Sequence, residues 1–257
     1  MDVLRHSLYI AQRGLRNLAR QPWFVALTLV QPLIWLLLYG QLFKRVVELP
    51  GFEANSYISF LAPGVVAMTA LFGGGWNGMG MIADLDRGVM DRLLVSPVNR
   101  VALITGRLLS LVVVTVIQSA ILLVVAFALG ARFPGGVVGI VVLVCCAVLL
   151  AAPFAALSNC VALLVRKQES VIAASNFILL PLTFLSPVFM AKTLMPDWIR
   201  TVAAFNPVNW SVEAARAALG TDTDWSFVLL RVVWLLAFCA FTAWLATRAF
   251  RVYQRSA

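Results

Sequence analysis

Five or six uncharged apolar stretches, each long enough to cross a bilayer, alternate with short gaps that hold almost all of the charge. Runs of this length are costly to expose to water and too long for ordinary core strands, so lipid is their natural solvent. Spans are expected at about 22–43, 57–82, 101–130, 135–165, 170–191 and 226–248. The third and fourth exceed the roughly 20 residues a crossing needs, and are expected to tilt or to extend into the cytoplasm. Gly130, Arg132, Pro134, Gly135 and Gly136 mark a tight hairpin between them. Arg166-Lys167-Gln168-Glu169 marks another turn, because one continuous helix would strand these charges in hydrocarbon.

Three segments depart from simple spans. Leu4, Leu8, Ala11, Leu15 and Leu18 repeat at helical spacing opposite Arg5, Gln12, Arg16 and Arg20, so residues 1–21 read as an amphipathic helix lying on an anionic membrane surface. Residues 84–100 form a polar insert, with Asp84, Asp86, Arg87, Asp91 and Arg92 around Val89, Leu93 and Leu94. Asp84–Arg87 and Arg87–Asp91 spacings brace a short helix there, which Pro97 interrupts. Residues 195–219 read as short interfacial or re-entrant helices broken at Asn206-Pro207, too interrupted for a seventh span. The expected fold is therefore all-α and polytopic, with six transmembrane helices, an N-terminal interfacial helix and short extracytoplasmic helices. Residues 22–257 form one membrane domain.

Composition agrees. Charged residues make up 12% of the chain and mean hydropathy is +0.94, whereas a soluble domain carries about 25% charged residues. The net charge of +9 forms no basic stripe or aromatic platform, so no nucleic-acid partner is expected. Its distribution gives orientation instead. With the N-terminus cytoplasmic, inside segments hold thirteen basic residues and outside segments seven (Lys44, Arg45, Arg132, Lys192, Arg200, Arg216 and Arg231), which places both termini in the cytoplasm. No small-residue cleavage site follows a short hydrophobic core, so the first run is expected to be an uncleaved span.

Candidate chemistry is sparse. Cys145, Cys146, Cys160 and Cys239 sit inside apolar runs without CxxC spacing and read as small buried hydrophobes; His6 reads as interfacial. No Walker motif, acid pair or metal-ligand cluster is present, and Gly73-Gly74-Gly75 with Gly78 and Gly80 permits close packing or bending rather than phosphate binding. The spans hold almost no ionisable groups, which argues against an enzyme and against an ion-coupled carrier. Energy must then come from elsewhere, and the 84–100 insert is a docking surface for its source. Asn159, Gln168, Ser175 and Asn176 need partners in lipid, as pathway-lining groups or as helix–helix hydrogen bonds. Trp76, Met79 and Met81 offer an adaptable apolar surface or ordinary packing. Pro181 and Pro187 are expected to kink the fifth span. Phe177, Phe184 and Phe189 face a dimer interface, a pathway or lipid.

Local motifs in order add a resemblance. Gln31-Pro32-Leu33-Ile34-Trp35 lies in the first span, and Arg92-Leu93-Leu94-Val95-Ser96-Pro97-Val98 precedes the third. The Leu179–Phe189 run carries two prolines, and Phe205-Asn206-Pro207-Val208 opens an amphipathic helix. The chain resembles, over nearly its whole length, permease subunits of ABC-2 exporters of the daunorubicin/doxorubicin-resistance type. The resemblance implies a connecting helix at 4–20, a coupling helix at 84–97 and a smaller contact at 166–169. Arg16, Arg87, Asp91, Arg92, Arg166 and Glu169 would then face a separate ATPase dimer that holds ATP and Mg, with no cofactor in this chain. It also implies a second permease copy or homologue, a bacterial inner-membrane location, and export of an amphiphile such as a drug, antibiotic or lipid. Alternatives are a polysaccharide or glycolipid export permease and a non-transporting membrane scaffold.

Overall fold

The computed structural model describes Tyr9, Gln12, Arg16 and residues 22–48, 56–88 and 100–256. Asp91 and Arg92, and most of the expected 84–97 and 1–21 helices, lie outside the described residues. Every regular element among those described is helical. In chain order they are α1 (Pro22–Ile34), a π turn (Trp35–Tyr39), α2 (Gly40–Leu42), α3 (Tyr57–Gly75), α4 (Asn77–Asp86), α5 (Arg100–Ala128), α6 (Gly136–Val165), α7 (Gln168–Phe184), α8 (Asp197–Ala204), α9 (Pro207–Leu219) and α10 (Trp225–Ser256). Short 3-10 turns occupy Lys44–Glu48 and Lys192–Leu194.

Among the described residues, four apolar stretches are long enough to cross a membrane: Tyr57–Asp86, Gly106–Ala128, Gly136–Ala162 and Trp225–Ala246. The chain is an all-α, multi-span membrane protein. The first and fifth expected spans are shorter helices. Ala26–Leu42 is apolar and runs through the π turn, which sets Trp35 beside Tyr39 and Phe189, with ring centroids 4.5 and 4.9 Å away. α7 has 17 residues, about 25 Å at the helical rise, against a hydrocarbon core of about 30 Å.

α7 stops early because neighbouring side chains take the carbonyls that would continue it. Asn206 Nδ2 donates to Leu182 O (2.7 Å) and Leu185 O (2.9 Å), while its Oδ1 accepts from Val208 N–H and so caps α9. Arg216 takes the carbonyls of Pro187 and Val188. Leu185–Val188 is thus a turn, and Pro187 lies beyond the helix. The kink expected at Pro187 is therefore corrected, leaving Pro181 as the proline inside α7. Asn206→Asp keeps the capping acceptor but loses both donors. It should cost about 2–3 kcal/mol, read as thermal unfolding in detergent, because buried carbonyls lose their partners.

α3 is the central helix. Leu61, Val65, Val66 and Leu71 are nearly fully buried although they point in different directions, as in a helix surrounded by protein. α10 is the opposite case, leaving Leu229, Val233, Leu236 and Phe241 exposed for lipid. Lipid is as apolar as leucine, so the helices associate through close packing and polar contacts. α9 shows this well. Its Ala214, Ala215 and Ala218 are buried in the bundle, and a Cβ built on Gly135, just before α6, or on Gly139 within it would stand 2.0 or 2.4 Å from Ala218 O. Only glycine allows that approach. The 195–219 segment is accordingly two helices, with α9 packed among the spans.

Candidate functional site

Gly73-Gly74-Gly75 ends α3 at a break, and Trp76 joins it to α4. The joint is held by polar groups from two other helices. Ser158 Oγ of α6 and Ser175 Oγ of α7 both donate to Gly75 O, at 2.5 and 2.6 Å. Gly78 N–H donates to Ser158 Oγ, and Trp76 Nε1 donates to Asn176 Oδ1. The break makes these bonds necessary, since Met79 N–H turns back to Trp76 O and leaves Gly75 O to the serines. Backbone contact fixes the glycines as well. A Cβ on Gly74 would lie 2.3 Å from Ala151 O, and one on Gly78 2.4 Å from Ser158 O.

From this joint α4 leads to residues 89–99. At its end, Arg107 of α5 donates from one nitrogen to Asp84 Oδ2 (3.2 Å) and Met81 Sδ (3.0 Å). This ion pair, with side chains 16% and 31% exposed, ties together the two helices that flank the 89–99 segment. Arg107 lies seven residues into the apolar helix α5, a charged intrusion that sequence reasoning counted only towards orientation.

The other end of the bundle holds a second polar cluster. Glu213 of α9 accepts a hydrogen bond from Lys192 Nζ on Oε1 at 2.9 Å, and its Oε2 forms an ion pair with Arg231 Nη2 of α10 at 2.7 Å. Arg216, one turn along α9, donates Nε to Phe60 O (3.1 Å), Nη1 to Pro187 O (2.7 Å) and Nη2 to Val188 O (3.0 Å), and its guanidinium sits 3.5 Å from the Phe60 ring centroid. Burial lowers Arg216 to about 9, against the raising influence of Tyr57 and Glu213, so it stays protonated at neutral pH. An open cleft of about 840 Å³ lies over this cluster. Sequence reasoning missed the site. Its available signal was Arg231, a charge inside an otherwise apolar run, whose need for an acid points to Glu213.

The expected site residues separate into groups. Arg16 and Arg87 are exposed, and Arg87 closes α4 as its C-terminal cap. Arg166 adopts φ 53° in the turn before α7, and Glu169 follows in its first turn; both are exposed. Ser175 and Asn176 serve the joint, whereas Asn159 is half-buried, its Oδ1 without a hydrogen-bond partner among the described residues. Phe177 and Phe184 project from α7, 82% and 59% exposed.

Comparison with known proteins places this arrangement. Residues 6–219 match the family described as ABC-2 type transporter. The transport permease ycf38 of Cyanophora paradoxa is 28% identical over 87% of this chain and 77% of its own length. The daunorubicin resistance ABC transporter permease protein DrrB1 of Streptomyces coeruleorubidus is 29% identical over 79% of this chain and 71% of its own. The doxorubicin resistance permease DrrC of Mycobacterium tuberculosis is 22% identical over 92% and 87%. With most of its length matched, the chain belongs to the ABC-2 type transporter family.

Proposed function

We propose that this chain is the permease subunit of an ATP-driven exporter of amphiphiles, energised by a separate ATPase dimer. In this reading it crosses a bacterial inner membrane six times, with both termini cytoplasmic, and pairs with a second permease copy or homologue. The Arg107 end of the bundle faces the ATPase. Arg87, Asp91 and Arg92, with Arg16, Arg166 and Glu169 nearby in the proposed topology, form its docking surface.

The observation that carries the reading is mechanical. The proposed coupling segment hangs from α4 and α5, which the Asp84–Arg107 pair ties at their ends, and α4 continues through the glycine joint into the central helix. A push on the segment would reach α3 through one jointed lever, with Ser158 and Ser175 linking its movement to α6 and α7. Chemistry stays outside the chain: the described elements are helices, without the sheet of a nucleotide-binding ATPase domain. The amphiphile assignment rests on relatives named for daunorubicin and doxorubicin resistance and on the neutral, apolar spans.

Reconstitution with the companion ATPase tests this. Amphiphile-stimulated hydrolysis with vectorial flux supports the reading; glycan flux would favour the polysaccharide alternative, and assembly without flux the scaffold. Arg87→Glu combined with Asp91→Arg should insert normally yet lower ATP-driven flux about tenfold, as expected when about 1.4 kcal/mol of docking is lost. Unchanged flux at normal expression would remove these residues from the coupling surface.

A further inference from the structure

The open cleft at the Glu213 end has no part in the coupling mechanism, yet it combines two chemistries. Arg132, Lys192 and Arg216 line it together with Phe60, Phe133 and Phe227. It sits where α3 begins at Tyr57, α5 ends at Ala128 and α6 begins at Gly136. Helix ends of spanning segments mark the level at which hydrocarbon gives way to headgroups.

The positive charge there is cancelled only in part, because Arg132, Lys192 and Arg216 share the lining with a single carboxylate. Glu213, the one carboxylate among the lining residues, is already engaged by Lys192 on one oxygen and by Arg231 on the other. Arg216 is fixed by three neutral backbone carbonyls, so it is oriented without being neutralised. Arg132 is exposed at the rim, its backbone N–H anchored to Ser59 Oγ at 3.0 Å. A preorganised cationic rim above aromatic walls suits a ligand that is anionic at one end and apolar at the other.

We propose that this cleft binds an anionic phospholipid, the headgroup phosphate on Arg132, Lys192 and Arg216 and the glycerol and upper acyl chains against the phenylalanines. Binding of this kind does not depend on ATP-driven transport.

Native mass spectrometry of the intact purified protein, loaded with phosphatidylglycerol or phosphatidylcholine at equal concentration, tests the proposal. Phosphatidylglycerol should be retained preferentially. Arg132→Gln should lower its retention about fivefold, and adding Lys192→Gln about fivefold more, the effect expected of one cation near an anionic headgroup. Arg200→Gln, an exposed cation at the same end that does not line the cleft, should leave retention unchanged. Equal retention of the two lipids, or equal loss from Arg200→Gln and Arg132→Gln, would overturn the site. Complete displacement by millimolar inorganic phosphate would show that a bare anion suffices and overturn the lipid assignment. Arg132→Gln alone decides the matter should the double variant not fold.

Discussion

Gly74→Ala should cost about 3 kcal/mol or more of stability, while Gly73→Ala, one residue earlier, should be neutral or slightly stabilising. In a helix the substitution normally gains about 0.5–1 kcal/mol from the reduced freedom of the unfolded chain. At Gly73 the nearest atom to a new Cβ is Gln118 Oε1 at 3.9 Å, an ordinary contact. At Gly74 it is the Ala151 carbonyl oxygen at 2.3 Å, with Ala151 Cα at 3.1 Å. Backbone cannot rotate away as a side chain can, so α3 and α6 must separate. The cost then reaches the upper end of the usual overpacking range of about 1–3 kcal/mol. Thermal unfolding in detergent measures both variants. Equal melting temperatures would mean that the two helices do not meet backbone to backbone at this joint. Gly75→Ala should fall between them, since its obstacle is the flexible end of Leu179.

Glu213→Ala is expected to cost about 3–5 kcal/mol, the range for breaking a buried ion pair by removing one partner. The side chains of Glu213 and Arg231 are 14% and 11% exposed, so Arg231 would keep its charge in a largely dry site. Lys192, 40% exposed, can turn to water, and Lys192→Ala should cost less than about 1 kcal/mol. The pairing of α9 with α10 also predicts a rescue. Glu213→Ala with Arg231→Leu removes both charges, and should recover a substantial part of the loss in unfolding measurements. Strict additivity of the two substitutions would mean that the residues do not act as a pair.

Much of the bundle was legible because lipid imposes a simple rule on sequence. The apolar runs of α3–α4, α5, α6 and α10 had to be long and nearly uncharged. Of these, α5 and α6 end at or beside the turns read from the sequence at 130–136 and 166–169, although the helix α7 already takes in Gln168 and Glu169. The break at Asn206-Pro207 was equally visible, as proline at the first position of α9. What stayed hidden depended on a partner distant in sequence. The end of α7 could not be read from Pro187, since Asn206 claims the Leu182 carbonyl inside the helix and Arg216 claims the Pro187 carbonyl in the turn that follows. Ser175 and Asn176 were recognised as polar groups in need of partners, but not as two supports of one joint. Ser158 attracted no attention and Arg107 was counted only towards orientation, because their roles arise only when α4 lies against α5 and α6.

Orientation tests the account most directly. In a background with the four native cysteines replaced, single cysteines at Asp86, within the proposed 84–97 coupling segment, and at Thr221, beyond α9, are both exposed. A membrane-impermeant maleimide applied to intact spheroplasts should label position 221 at once and position 86 only after lysis. Reaction of position 86 from outside, or of both positions from one side, would detach the jointed lever from any cytoplasmic motor.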